Sequence, residues 1–243
     1  NGLVKTVKFS DDKYVGDPIN AVRIFNEKEV DELIVIDIDA SVQHREPDFK
    51  MIADLAAECR MPLCYGGGIK SAVQARHIMS LGVEKVALSS GIIERPDLIS
   101  EIAKEVGNQS VVAVLDVRKN GHENGYSVWT HNGKKDTGRC PISIAKEFES
   151  RGVGEIVLNS IDNDGIMKGY DMDLVHQVRS AVRVPMTVLG GAGSLQDFRK
   201  VIEKYGPIGV SAGSLFVFKG IYRAVLINYP SHFDRDQLQR RSK

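Results

Sequence analysis

Short apolar runs alternate with amphipathic stretches along nearly the whole chain. Leu33-Ile-Val-Ile36 is apolar at every position and runs into Asp37 and Asp39, the pattern of a strand buried on both faces. Runs of the same kind lie at Pro62–Tyr65, Lys85–Ser89, Ser110–Leu115 (ending at Asp116), Glu155–Leu158, Met186–Leu189 and Ile208–Ser211. The stretches between them carry apolar residues at helical spacing. Asp17-Pro18 opens one that reaches about Lys28. The aspartate caps it, the proline suits its first turn, and Ala21, Val22, Ile24 and Phe25 form its apolar face. Helices are predicted in the same way over Asp48–Cys59, Ser71–Leu81, Pro96–Val106, Pro141–Arg151, Met172–Val182 and Leu195–Lys204, with a last one from near Leu215–Ile221. Short connections and strict strand–helix alternation predict an α/β chain folded as a (β/α)8 TIM barrel, with an open doubly wound sheet as the competitor. Seven strands are clear against eight helices. Leu3–Phe9 alternates weakly and reads as a short strand or a hairpin arm. Either it closes the barrel or the first strand lies upstream of Asn1, and the second is expected.

The chain also repeats itself. Met61-Pro-Leu-Cys-Tyr-Gly-Gly-Gly-Ile69 and Val184-Pro-Met-Thr-Val-Leu-Gly-Gly-Ala192 are the same strand running into paired glycines, 123 residues apart. Glu32 and Glu155, Asp39 and Asp162, Gly67 and Gly190, and Gly68 and Gly191 keep that register. Two half-barrels in one domain over 1–243 are expected, with halves at about 1–107 and 108–243. The duplication favours the barrel, because two four-unit halves close into eight. The one long connection, Arg118–Arg139, holds Gly121, Gly125, Gly133 and the alternating Tyr126-Ser-Val-Trp-Thr-His131. It predicts a hairpin inserted after the strand that ends at Asp116, where barrel loops carry function.

Bulk composition narrows the picture only a little. Hydrophobic content of 42% and charge of 26% suit a globular protein, and a formal net charge of zero gives no global pull on nucleic acid or an anionic membrane. No apolar run approaches a membrane span, and no signal-peptide pattern opens the chain. Cys59, Cys64 and Cys140 fit neither a disulfide framework nor a zinc motif, so a reducing cytoplasm is expected. The six histidines, His122 among them, show no metal spacing, and no metal or cofactor is expected. Asp162-Asn-Asp-Gly165 opens like a calcium loop, but its twelfth position is Asp173 rather than glutamate. Neither a nucleophile elbow nor a Walker A sequence appears.

Any phosphate site must therefore be local. Strand C-termini of a barrel face the active site, so Gly67, Gly68, Ser89 and Ser90 are expected to form one phosphate pocket. Gly165, Gly190, Gly191, Gly213 and Ser214 are expected to form a second. Free backbone N–H groups and hydroxyls suit phosphate oxygens. Asp116, at a strand end between the pockets, is the candidate for acid–base work, against a helix cap or an ion pair with Arg118 or Lys119. Asp164 reads as a turn residue or a ligand contact. Glu32, Lys85 and Glu155 precede strands at the opposite mouth, where ion pairs usually serve stability.

Gathered together, these residues resemble one family across nearly the whole chain. Asp37-Ile-Asp-Ala-Ser41, Gly66-Gly-Gly-Ile69, Val112-Ala-Val-Leu-Asp116, Gly133-Lys-Lys-Asp-Thr-Gly138, Ser160-Ile-Asp-Asn-Asp-Gly165, Gly190-Gly-Ala-Gly193 and Ala212-Gly-Ser214 are similar to the cyclase (synthase) subunit of imidazole glycerol phosphate synthase. The resemblance implies a lyase-type enzyme of histidine biosynthesis with a glutaminase partner on the N-terminal face. Ammonia would cross the barrel to a bisphosphorylated ribulosyl formimino nucleotide. The resemblance implies an ammonia gate of Glu32, Lys85 and Glu155, a catalytic Asp116, a substrate-contacting Lys5 and a closing loop at Gly133–Gly138. A second catalytic aspartate belongs to the end of the first strand, ahead of Leu3; Asp11 and Asp12 come too late to align with it. Leu3–Phe9 and Gly16–Val22 also resemble a branch that delivers ammonia for nucleotide-sugar amidation in surface-polysaccharide synthesis. That role, or a scaffold that only activates a glutaminase, stands as the alternative.

Overall fold

The computed structural model describes residues 2–120 and 125–239; Gly121 and His122 lie outside the described residues. A hairpin of β1 (Leu3–Val7) and β2 (Ser10–Gly16) comes first. The first half-barrel follows as α1 (Pro18–Glu27), β3 (Leu33–Ile36), α2 (Phe49–Glu58), β4 (Leu63–Gly66), α3 (Ala72–Ser80), β5 (Lys85–Leu88), α4 (Ser90–Glu94) and α5 (Asp97–Val106). The second runs through β6 (Val111–Lys119), β7 (Tyr126–Thr130), β8 (Lys135–Asp136), α6 (Pro141–Ser150), β9 (Glu155–Ser160), α7 (Met172–Arg179), β10 (Met186–Leu189), α8 (Leu195–Tyr205), β11 (Gly209–Val210) and α9 (Ser214–Val217). A hairpin of β12 (Phe218–Lys219) and β13 (Ala224–Val225) and the helix α10 (His232–Gln239) complete the chain.

The expected Asp17 cap forms, and other helices are capped in the same way. Asp17, Asp48, Ser71 and Asp171 each accept a backbone N–H from the first turn, and Ser194 with Asp197 makes a reciprocal capping box. Seven parallel strands make the curled sheet in the order β11-β10-β9-β6-β5-β4-β3, the arrangement of a (β/α)8 barrel. Two cores flank it. Helix stripes and outward strand positions bury one around the outside, and Cys64, Ala87, Val112, Val114 and Val157 meet inside the lumen.

The duplication extends further than the glycine turns. Helices α1 and α6, strands β4 and β10, and even β1 and β7 coincide end to end at the 123-residue offset. Three expectations need correction or sharpening. Leu3–Val7 pairs only with Ser10–Gly16, so it is a hairpin arm and no stave of the barrel. Strand β6 continues beyond Leu115 to Lys119, because β7 pairs antiparallel with its end, Asp116 opposite Trp129 and Lys119 opposite Tyr126. The helix expected from near Leu215 stops at Val217. Gly220 (φ +71°) and Arg223 (φ +50°) turn the chain back as a hairpin.

Candidate functional site

Side chains alternate across a strand, and this fixes what faces the lumen. On β5 the inward ladder is Lys85, Ala87 and then Ser89. On β6 it is Val112, Val114 and Asp116, and on β9 it is Glu155, Val157 and Asn159. Every ladder is apolar at mid-height and polar at an end.

At the N-terminal mouth Lys85 Nζ lies 2.8 Å from Glu32 Oε1 and 2.9 Å from Glu155 Oε2. Thr187 donates its hydroxyl to the other Glu155 oxygen at 2.7 Å. Burial alone would lower the Lys85 pKa, but the hydrogen bonds and charges of Glu32 and Glu155 outweigh it and hold the ammonium above its usual value. This end of the lumen carries a fixed, paired cation.

At the C-terminal mouth Asp116 accepts from Asn159 Nδ2 at 2.9 Å and from the Ser89 hydroxyl at 3.4 Å. Burial pushes its carboxyl up to about 6, these two hydrogen bonds pull against the rise, and the charge of Asp164 adds to it. Arg118 and Lys119 turn to Asp162 and Asp171 instead, so Asp116 is neither a cap nor half of an ion pair. A carboxyl poised near neutrality is fit to take and return a proton. Asn159 spends its amide N–H on Asp116 and leaves Oδ1 buried without a partner. Asp116, Asn159, Ser89, Asp164 and Lys5 line one cavity of about 350 Å³, which continues down the apolar lumen past Val114 and Val157.

One barrel thus has a paired charge cluster at one mouth and a tunable acid at the other. The chain matches the family model described as "Histidine biosynthesis protein" over residues 2–222. It is 57% identical to a protein of Leptospira interrogans provisionally named imidazole glycerol phosphate synthase subunit HisF, over 98% of this chain and 93% of that one. It is 56% identical to a Vibrio vulnificus protein provisionally named subunit hisF3, over 95% and 88%. Identity is 37% to the imidazole glycerol phosphate synthase subunit HisF of Natranaerobius thermophilus, over 94% and 90%. The chain belongs to the HisF family.

With that membership, the remaining site residues find their places. Gly67, Gly68, Ser89 and Ser90 line the same cavity as Asp116. Ser90 Oγ accepts the His131 backbone N–H at 3.0 Å, tying the inserted hairpin to the first pocket. On the opposite side Lys5 Nζ sits 2.8 Å from Asp164, which also receives the Thr6 hydroxyl at 3.3 Å. Gly213 leaves room for the Lys5 side chain, whose Cε would stand 2.7 Å from a Cβ there. Gly165, Gly190, Gly191 and Ser214 lie just outside the cavity lining. Their glycines serve close packing: a Cβ on Gly191 would be 2.1 Å from the Gly169 carbonyl, and one on Gly190 2.5 Å from that of Ser160. Asp37, at the end of its strand, is occupied by Arg45 and by the turn at Asp39 and Ala40. Residue reasoning missed Thr187 and Arg223. Thr187 was legible as a polar residue on the inward ladder of β10. Arg223 was not, since a helix was expected there. No helix among the described residues is long and apolar enough to cross a membrane.

Proposed function

We propose that this chain is the ammonia-dependent cyclase subunit of an imidazole glycerol phosphate synthase, a lyase-type enzyme of histidine biosynthesis. The observation that carries the reading is the shared lumen axis, with Lys85 held by Glu32 and Glu155 at one mouth and Asp116 at the other. A glutaminase docked on the N-terminal face releases ammonia at that gate. Neutral ammonia crosses the apolar lumen at small cost, whereas ammonium is penalised by desolvation once it leaves the paired charges at the mouth. Ammonia meets the bisphosphorylated ribulosyl formimino nucleotide at the C-terminal rim. One phosphate sits against Gly67, Gly68, Ser89 and Ser90; the other sits against Gly165, Gly190, Gly191, Gly213 and Ser214. Lys5, released from Asp164, reaches the substrate. Asp116 takes a proton from the attacking nitrogen and returns one as the imidazole ring closes and the nucleotide splits. The ketone oxygen leaves as water in the condensation, and the other products are imidazole glycerol phosphate and an aminoimidazole carboxamide ribotide.

Mass-spectrometric turnover of the ribulosyl nucleotide with ammonium salt tests the reading, comparing wild type with Asp116→Asn. Product from wild type alone is expected. No product from wild type removes the cyclase assignment and leaves ammonia delivery to another acceptor, such as a nucleotide sugar. Equal product from both proteins removes Asp116 from the mechanism.

A further inference from the structure

We propose that Arg223 is the anion-holding cation of the second phosphate pocket, selecting ligands that carry a phosphoryl group at that end. The proposal rests on the reading that this pocket takes a phosphate. Its guanidinium donates to the Gly165 carbonyl at 3.1 Å and to Ser214 Oγ at 3.3 Å, so it joins the two loops expected to cradle the anion. These contacts use two of the five N–H donors of an arginine and leave three for a ligand. Ser214 Oγ accepts from Arg223, which frees its own proton for an anionic oxygen and polarises the hydroxyl for that task.

The charge is also uncompensated. No described carboxylate pairs with Arg223, whereas Lys5 is paired with Asp164, and Arg45, beside the first pocket, with Asp37. A second cation stands close: Lys13 Nζ and the Arg223 guanidinium lie 5.2 and 4.7 Å from the centroid of the same Phe218 ring. Lys13 Nζ donates to the Arg223 carbonyl at 2.7 Å, holding the residue in its left-handed conformation (φ +50°). Two cations gathered at an aromatic ring with no anion between them make a site that gains by accepting one.

Isothermal titration with inorganic phosphate tests this on wild type, Arg223→Gln and Arg223→Lys, each checked for wild-type circular dichroism. Wild type should bind phosphate. Arg223→Gln should weaken one class of site about tenfold or more, on the scale of a charge-assisted pair, and flatten the salt dependence. Arg223→Lys should fall below wild type, because a single ammonium cannot hold Gly165, Ser214 and an anion together. Unchanged affinity in Arg223→Gln overturns the proposal and spares the phosphate reading. No phosphate uptake by wild type overturns both. If Arg223→Gln does not fold, unchanged affinity in Arg223→Lys overturns the proposal in its place.

Discussion

Asp116 is the side chain proposed to carry the chemistry, and its environment sets its cost. Its folded-state pKa of about 6 lies above the ordinary 3.8, so the native protein holds this proton more tightly than the unfolded chain does. That stabilising contribution is complete in acid, below the unfolded value, and is lost as the pH rises through about 6. At pH 7 the buried carboxylate is a net burden. Asp116→Asn should therefore raise stability at pH 7 by roughly 1–2 kcal/mol, allowing for solvent in the cavity. Urea denaturation of the two proteins at pH 4 and pH 7 measures it, with the gain expected only at pH 7. The same residue should shape turnover: as a base it gives a kcat that climbs through about pH 6 and then levels. A flat profile from pH 5 to 8 would assign the proton transfer elsewhere. Asn159 belongs to the same argument, since its orphaned Oδ1 is a buried acceptor that an N–H of incoming ammonia would satisfy.

Strand–turn–helix units decide where such residues stand. The doubled Gly-Gly turns were legible because glycine is the residue that tolerates positive φ at these ends, and both turns adopt it: Gly67 and Gly68 at +122° and +73°, Gly190 and Gly191 at +87° and +116°. What the sequence could not reveal is the contact that enforces each glycine, since the opposing carbonyl comes from another loop. Gly191→Ala faces both the backbone angle and the Gly169 carbonyl. It should cost at least about 2 kcal/mol, read as a lower urea midpoint at unchanged slope. Gly138→Ala, with φ +65° and nothing within 4 Å of a Cβ, should cost only about 1 kcal/mol. Equal losses would mean that the loop packing around Gly191 contributes nothing. The terminal hairpin marks the limit of pattern reading. Leu215–Ile221 has helical spacing, yet Gly220 and the docking of β13 against Phe218 turned it into strands.

The barrel as a whole links one mouth to the other. Removing the gate cation with Lys85→Met leaves Glu32 and Glu155 facing each other without a counter-charge. Stability should fall by about 1–2 kcal/mol, because the cluster is only partly screened by solvent. In the complex with its glutaminase, turnover driven by glutamine should drop relative to turnover driven by ammonium salt if, as proposed, only the former depends on entry at that face. An unchanged ratio of the two would remove the gate from ammonia transfer.

The sequence by itself determined the seven staves of the barrel, the Asp17 cap, the 123-residue duplication and the alternation that lays charged, apolar and polar residues in order along the lumen. These follow from local backbone preference and from period-two side-chain direction, which neighbouring residues specify. Only the tertiary structure decided that Asp116 turns to Asn159 rather than to Arg118, that Lys5 closes on Asp164, and that Arg223 reaches the Gly165 carbonyl. Those contacts join residues from 43 to 159 positions apart. Which partner a charge finds depends on the register and curvature of the closed sheet, and no stretch of sequence carries that alone.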